Sequence, residues 1–79
     1  MAGPIHIGHI IQEELRAQGR SVVWLARQLG TSRMACYRLF HSYSIDSHQL
    51  FRISELLERN LFEVYVEQLN AGHQVCRAW

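Results

Sequence analysis

An all-α fold in one small domain is predicted by three features of this sequence. With 79 residues, there is no room for a second independent core, because domains usually run to about 100 residues or more. Apolar residues make up 48% of the chain and charged ones 19%, the balance of a core-forming chain rather than a disordered one. Apolar positions recur at helical spacing in five segments, while no useful stretch alternates with period two, so helices and not strands are expected.

The first segment places Ile7, Ile10, Ile11 and Leu15 on one stripe and ends at Gly19, a residue suited to the left-handed conformation that closes a helix. Helix 1 is therefore expected from about His6 to Gln18. Ser21 is the natural N-cap of a second, short helix whose Val22, Leu25, Ala26 and Leu29 fall at i, i+3, i+4 and i+7 before Gly30 ends it. Ser32 caps a third helix, with Cys36, Leu39, Phe40 and Tyr43 as its buried stripe and an end near Ser42 to Ser44. Asp46 followed by Gln49 has the pattern of a capping box, and Ile45 with Leu50 that of a hydrophobic staple. They open a fourth helix that buries Leu50, Ile53, Leu56 and Leu57. Asn60 with Glu63 repeats the cap pattern, predicting a fifth helix with Phe62, Tyr65, Val66 and Leu69 on one face and Leu61 and Val64 beside it. The domain is expected over residues 1–69, and residues 70–79, which show no periodicity, read as a tail with Trp79 available to pack on an apolar surface.

Charge is segregated along the chain, although the net formal charge is only +1. From Arg16 to Ile45 the sequence carries Arg16, Arg20, Arg27, Arg33 and Arg38 and no acid; Glu13, Glu14, Asp46, Glu55, Glu58, Glu63 and Glu67 all lie outside that window. Every cation is arginine, whose planar fork suits phosphates and guanine edges. A short cluster of this kind is also compatible with an ordinary solvated face.

Several functional classes find no support in the residues. Cys36 and Cys76 stand alone, without the neighbouring ligands of a zinc site or the number needed for a disulfide framework. His6 and His9 share a helix face, but nothing at ligand spacing completes a metal site. No nucleophile has a histidine and carboxylate in any recognisable motif, so an enzyme is not expected. No cofactor or small-molecule motif is present either. The chain lacks a long apolar run and an evident export signal, which makes a cytoplasmic, non-membrane protein the expectation.

Two short helices joined by a glycine-containing turn are the ingredients of a helix-turn-helix. Ala26 is the small residue needed where the first helix crosses the second, and Gly30 tolerates the positive φ of the turn. Leu25, Leu29, Cys36 and Leu39 fill the wedge between them. The stretch Ser21-Val-Val-Trp-Leu-Ala-Arg-Gln-Leu-Gly-Thr-Ser-Arg-Met-Ala-Cys-Tyr-Arg-Leu-Phe resembles the lambda-repressor-like, or Cro/XRE-like, DNA-binding domains. The resemblance spans about residues 5–69 and implies a compact five-helix domain in which the second and third helices form the motif and the first residues of the third read bases. Thr31 and Cys36 depart from the group's pattern, which favours an aliphatic residue after the turn glycine and Ile or Val at the latter position.

On a wheel at about 100° per residue, the outer face of helix 3 carries Arg33, Met34, Tyr37, Arg38 and His41 and no acid. Such a face suits the major groove of double-stranded DNA, with Arg33 the first candidate for base reading and Met34, Tyr37 and Arg38 next. Expected phosphate contacts are Arg20, Ser21, Val22, Arg27 and Ser32 on one side and His41 and Ser42 on the other. Leu61, Val64 and Tyr65 are the expected homodimer contacts, since so small a domain cannot easily hide every apolar residue of helix 5. Val23 and Trp24 lie off the main stripe of helix 2 and either cover a neighbouring helix or face a partner. The alternative to a DNA-binding regulator is a protein-binding module that uses apolar helix 5, with the helix-turn-helix retained as scaffold; the low net charge favours this alternative.

Overall fold

A computed structural model describes residues 5–72, and all of its regular structure is helical. The chain order is α1 (Ile7–Ala17), α2 (Val22–Leu29), α3 (Arg33–Phe40), α4 (Ser47–Leu57) and α5 (Glu63–Gly72). No strand occurs among the described residues.

Each of the first four helices starts on a side-chain cap. His6 Nδ1 accepts from the His9 N–H at 3.2 Å, Ser21 Oγ from Trp24 at 3.0 Å, Ser32 Oγ from Ala35 at 3.1 Å and Asp46 Oδ1 from Gln49 at 2.7 Å. Each cap satisfies one of the N–H groups that a helix start leaves without an internal partner. Three ends share one closure. At Gly19, Gly30 and Glu58 the backbone turns left-handed, and the following N–H reaches five residues back: Arg20 to Leu15, Thr31 to Ala26 and Arg59 to Ser54. Gly30 makes the connection between α2 and α3 tight because its φ of +70° bears no Cβ penalty.

The core is one cluster of twelve residues drawn from every helix but α5: Ile7, Ile11, Leu15, Leu25, Ala26, Cys36, Leu39, Phe40, Leu50, Ile53, Leu57 and Leu61. Val22, Leu29, Ile45 and Leu56 pack against its edge, as do Ile10, Phe62 and Val64. Trp24 also lies half-buried against this edge, whereas Val23 is exposed. α3 packs on both α1 and α2. The approach to α1 is close at Gly8: a Cβ built there would stand 2.5 Å from the Phe40 carbonyl oxygen and overlap that of Leu39 as well. Ile7 and Gly8, whose N–H groups are free at the start of α1, donate to the carbonyls of Tyr43 and Ser42 at 3.3 and 3.0 Å.

Four expectations need correction. Helix 3 stops at Phe40 with His41 as its C-cap, so Tyr43 lies beyond the helix and is 60% exposed instead of buried. The chain leaves the helix there because the carbonyls of Ser42 and Tyr43 are taken by the start of α1, which pulls the backbone across the domain. Helix 5 begins at Glu63, two residues later than the Asn60 cap implies; Asn60 Oδ1 instead accepts from Phe62 N–H at 3.1 Å within the preceding turn. That turn carries Leu61 into the protein's own core, fully buried, which removes it from the expected dimer surface. Finally, α5 continues through Asn70 to Gly72, beyond the expected domain limit. The remainder of the expected tail, residues 73–79 with Cys76 and Trp79, lies outside the described residues.

Candidate functional site

α3 is an eight-residue helix with two unlike faces. Cys36, Leu39 and Phe40 are buried on the inner one. Arg33, Met34, Tyr37 and Arg38 are all exposed on the other, Met34 by 64% and Tyr37 by 46%. The Tyr37 and Phe40 rings meet in a T-shaped arrangement, with centroids 6.1 Å apart and planes at 81°, which ties one exposed aromatic to the core. The ion pairs of the described residues, His9 with Glu13 and Arg59 with Glu14, involve none of the arginines of α2 and α3. Arg27, Arg33 and Arg38 therefore present their guanidinium groups to solvent without a protein acceptor among the described residues.

Cys36 beneath this face is inert packing. Burial pushes its thiol above the ordinary value of 9.0, away from the thiolate that nucleophilic or ligand chemistry requires. Among the described residues, no group of three or more His, Cys, Asp or Glu side chains is placed to hold a metal ion. No helix among them is long and apolar enough to cross a membrane.

At the starts of α2 and α3, Ser21 and Ser32 spend an oxygen lone pair on their caps, but each hydroxyl keeps its proton as a donor. Val22 is half-buried and opens the helix. Arg20, immediately before the cap, is exposed but held: its guanidinium lies over the Trp24 ring, 4.2 Å from the centroid, and its Nε donates to Gln18 Oε1 at 3.1 Å. No spacing rule in the sequence announces this arrangement, because Gln18 and Arg20 straddle the left-handed turn at Gly19.

At the other end of α3, His41 is exposed, while the Ser42 hydroxyl donates its single proton to the Arg38 carbonyl at 3.1 Å. That bond engages the proton that the Ser42 hydroxyl would offer a phosphate. Tyr43 also occupies this end, packed on His6 with ring centroids 4.0 Å apart and planes tilted by 32°. On α5, Val64 packs against the core and Tyr65 is 37% exposed. The apolar side chains that α5 exposes beside it are Val66 and Leu69. The arginine face of α3 and the apolar face of α5 are thus two candidate surfaces among the described residues. Comparison of the chain with protein-family models, with curated proteins and with solved structures finds no match.

Proposed function

We propose that this protein is a sequence-specific double-stranded DNA-binding regulator in which α2 and α3 act as a helix-turn-helix of the lambda-repressor-like kind and α3 enters the major groove. One observation carries the reading: the exposed face of α3 holds Arg33, Met34, Tyr37 and Arg38 with no acid among them and no internal partner for either guanidinium. A forked cation near the start of a recognition helix suits guanine O6 and N7, and the Met34 and Tyr37 side chains offer apolar atoms to a thymine methyl. Arg20 and Arg27, with the amide groups and hydroxyls at Ser21, Val22 and Ser32, flank that face as phosphate donors. His41 takes the far side. The exposed Tyr65, Val66 and Leu69 of α5 support a homodimer that reads two half-sites about one helical turn apart.

The same α5 residues favour a second reading, a protein-binding module in which α2 and α3 serve only as scaffold. The test is duplex binding followed by fluorescence anisotropy across a salt series, after selection of bound sequences from a random pool. A DNA-binding protein yields an enriched sequence whose affinity falls steeply with salt; the module yields no enrichment and an apolar interface that hardly responds to salt.

A further inference from the structure

We infer that Gln18 is a positioning residue that pre-sets Arg20 to grip a phosphate, an inference that rests on the DNA-binding reading. The amide orientation of Gln18 follows from its partners. Its Nε2 donates to Glu14 Oε2 and to the Leu57 carbonyl oxygen, each at 2.8 Å. Both acceptors demand the nitrogen, so Oε1 is the atom turned toward Arg20, where it receives the Nε–H. Glu14 is itself fixed, its other oxygen accepting from Arg59 Nη1 at 2.9 Å, in a pair whose side chains are 38% and 20% exposed. Three elements, α1, the end of α4 and the turn after it, thereby lock one amide.

The consequence falls on Arg20. An exposed arginine ordinarily samples many rotamers, and ordering it on binding costs affinity. Here Nε is anchored by Gln18 and the guanidinium lies over Trp24, which leaves the two terminal nitrogens without a protein acceptor among the described residues. Those nitrogens form the fork that a phosphate takes in bidentate fashion. The side chain is thus ordered before the ligand arrives.

The test uses the full chain carrying Gln18→Met, which keeps length and packing but removes both polar functions, with Gln18→Ala as a second variant should the first unfold. In the DNA-free protein, the indole ring current moves the Arg20 side-chain protons upfield. In a Gln18 variant that remains folded, these resonances should return toward ordinary arginine positions. Duplex affinity should then fall roughly two- to tenfold for every sequence, with the salt slope unchanged because no charge is lost, whereas Arg20→Ala should also lower that slope by about one. Unmoved Arg20 resonances in both variants overturn the positioning role. Moved resonances with unchanged affinity show that the ordering serves no phosphate contact, which overturns the inference while leaving the DNA-binding reading in place. Absence of binding by the unaltered protein to duplexes of any sequence at low salt overturns the DNA-binding reading itself.

Discussion

Replacing Gly8 by alanine tests the packing that sets the position of α3. At an unhindered position inside a helix this change stabilises by about 1 kcal/mol, because glycine has more conformational freedom to lose. Here the added methyl meets backbone, 2.5 Å from the Phe40 carbonyl oxygen and 2.7 Å from its carbon, and no side-chain rotation can relieve it. A carbon and a carbonyl oxygen need about 3.3 Å or more, so α1 and the end of α3 must part by about 1 Å. That overlap costs about 1–3 kcal/mol. The Gly8-to-Ser42 and Ile7-to-Tyr43 hydrogen bonds would loosen with it, at about 0.5–1.5 kcal/mol each. Less the propensity gain, the net loss is about 1–5 kcal/mol, against a total stability of about 4–12 kcal/mol for a chain of this size. Urea unfolding followed by circular dichroism reads the loss directly: at about 1 kcal/mol per molar, the midpoint should drop by roughly 1 M or more. Gly30→Ala is the control with a different cause. Nothing lies within 4 Å of its Cβ, but φ is +70°, so the cost is the left-handed backbone alone, about 1–2 kcal/mol. Asparagine, which visits that conformation readily, should recover part of the loss at Gly30 and none at Gly8. A midpoint for Gly8→Ala equal to or above that of the unaltered protein would refute the close approach of α1 to α3.

In duplex-binding assays, Arg33→Ala should lose about 1–3 kcal/mol of discrimination at one base pair, while Arg20→Ala weakens all sequences alike; an unchanged selected sequence for Arg33→Ala removes that residue from base reading. Leu61→Ala should destabilise by about 2–5 kcal/mol through the cavity it leaves in the core, whereas Val66→Ala should stay within about 0.5 kcal/mol at concentrations low enough to keep the chain monomeric; equal urea midpoints for the two would contradict the burial of Leu61. In a Cys76→Ser background, Cys36 should react with a thiol reagent only as fast as the protein opens. Because burial holds the Cys36 thiol above its ordinary value of 9.0, the unfolded chain gives up that proton first as pH rises. The stability it contributes is complete below about pH 9 and declines above it, so an alkaline loss as large in Cys36→Ala would assign the decline to other groups.

What was legible in the sequence is what local chemistry decides. The Ser21, Ser32 and Asp46 caps and the left-handed glycines Gly19 and Gly30 are all found where spacing puts them, because each is settled within five or six residues of chain. The errors fall where a distant segment intervenes. Extending the helix 3 stripe from Cys36 to Tyr43 assumes that the helix continues, but α1 captures the Ser42 and Tyr43 carbonyls and ends it. Glu58 adopts the left-handed backbone, with φ of 54°, although glycine would be the usual signal. Nothing in the sequence singles out Gly8, and only the crossing of α1 over the last turn of α3 reveals why it has no side chain. The outer face of α3 was legible because a helical wheel needs no tertiary information. The network of Gln18 and Arg20 was not, since it joins the end of α1 to the carbonyl of Leu57, 39 positions away.

These long-range contacts hold the two ends of the candidate interface by different means. At its start, the tight turn through Gly30 and the Ser32 cap fix where α3 begins relative to α2. At its finish, backbone rests on backbone at Gly8, and two hydrogen bonds from α1 bind the chain that follows. An isolated eight-residue helix is too short to persist in water, so the direction in which Arg33, Met34, Tyr37 and Arg38 point depends on these supports and on the three buried residues beneath. The exposed side chains contribute little to folding and are free to vary with the surface they meet, whereas Gly8, Ala26 and Gly30 are bound by geometry. A face whose arginines are unpaired and whose scaffold is tightly determined is suited to recognition, because its residues can be chosen for a ligand without disturbing the core that aims them.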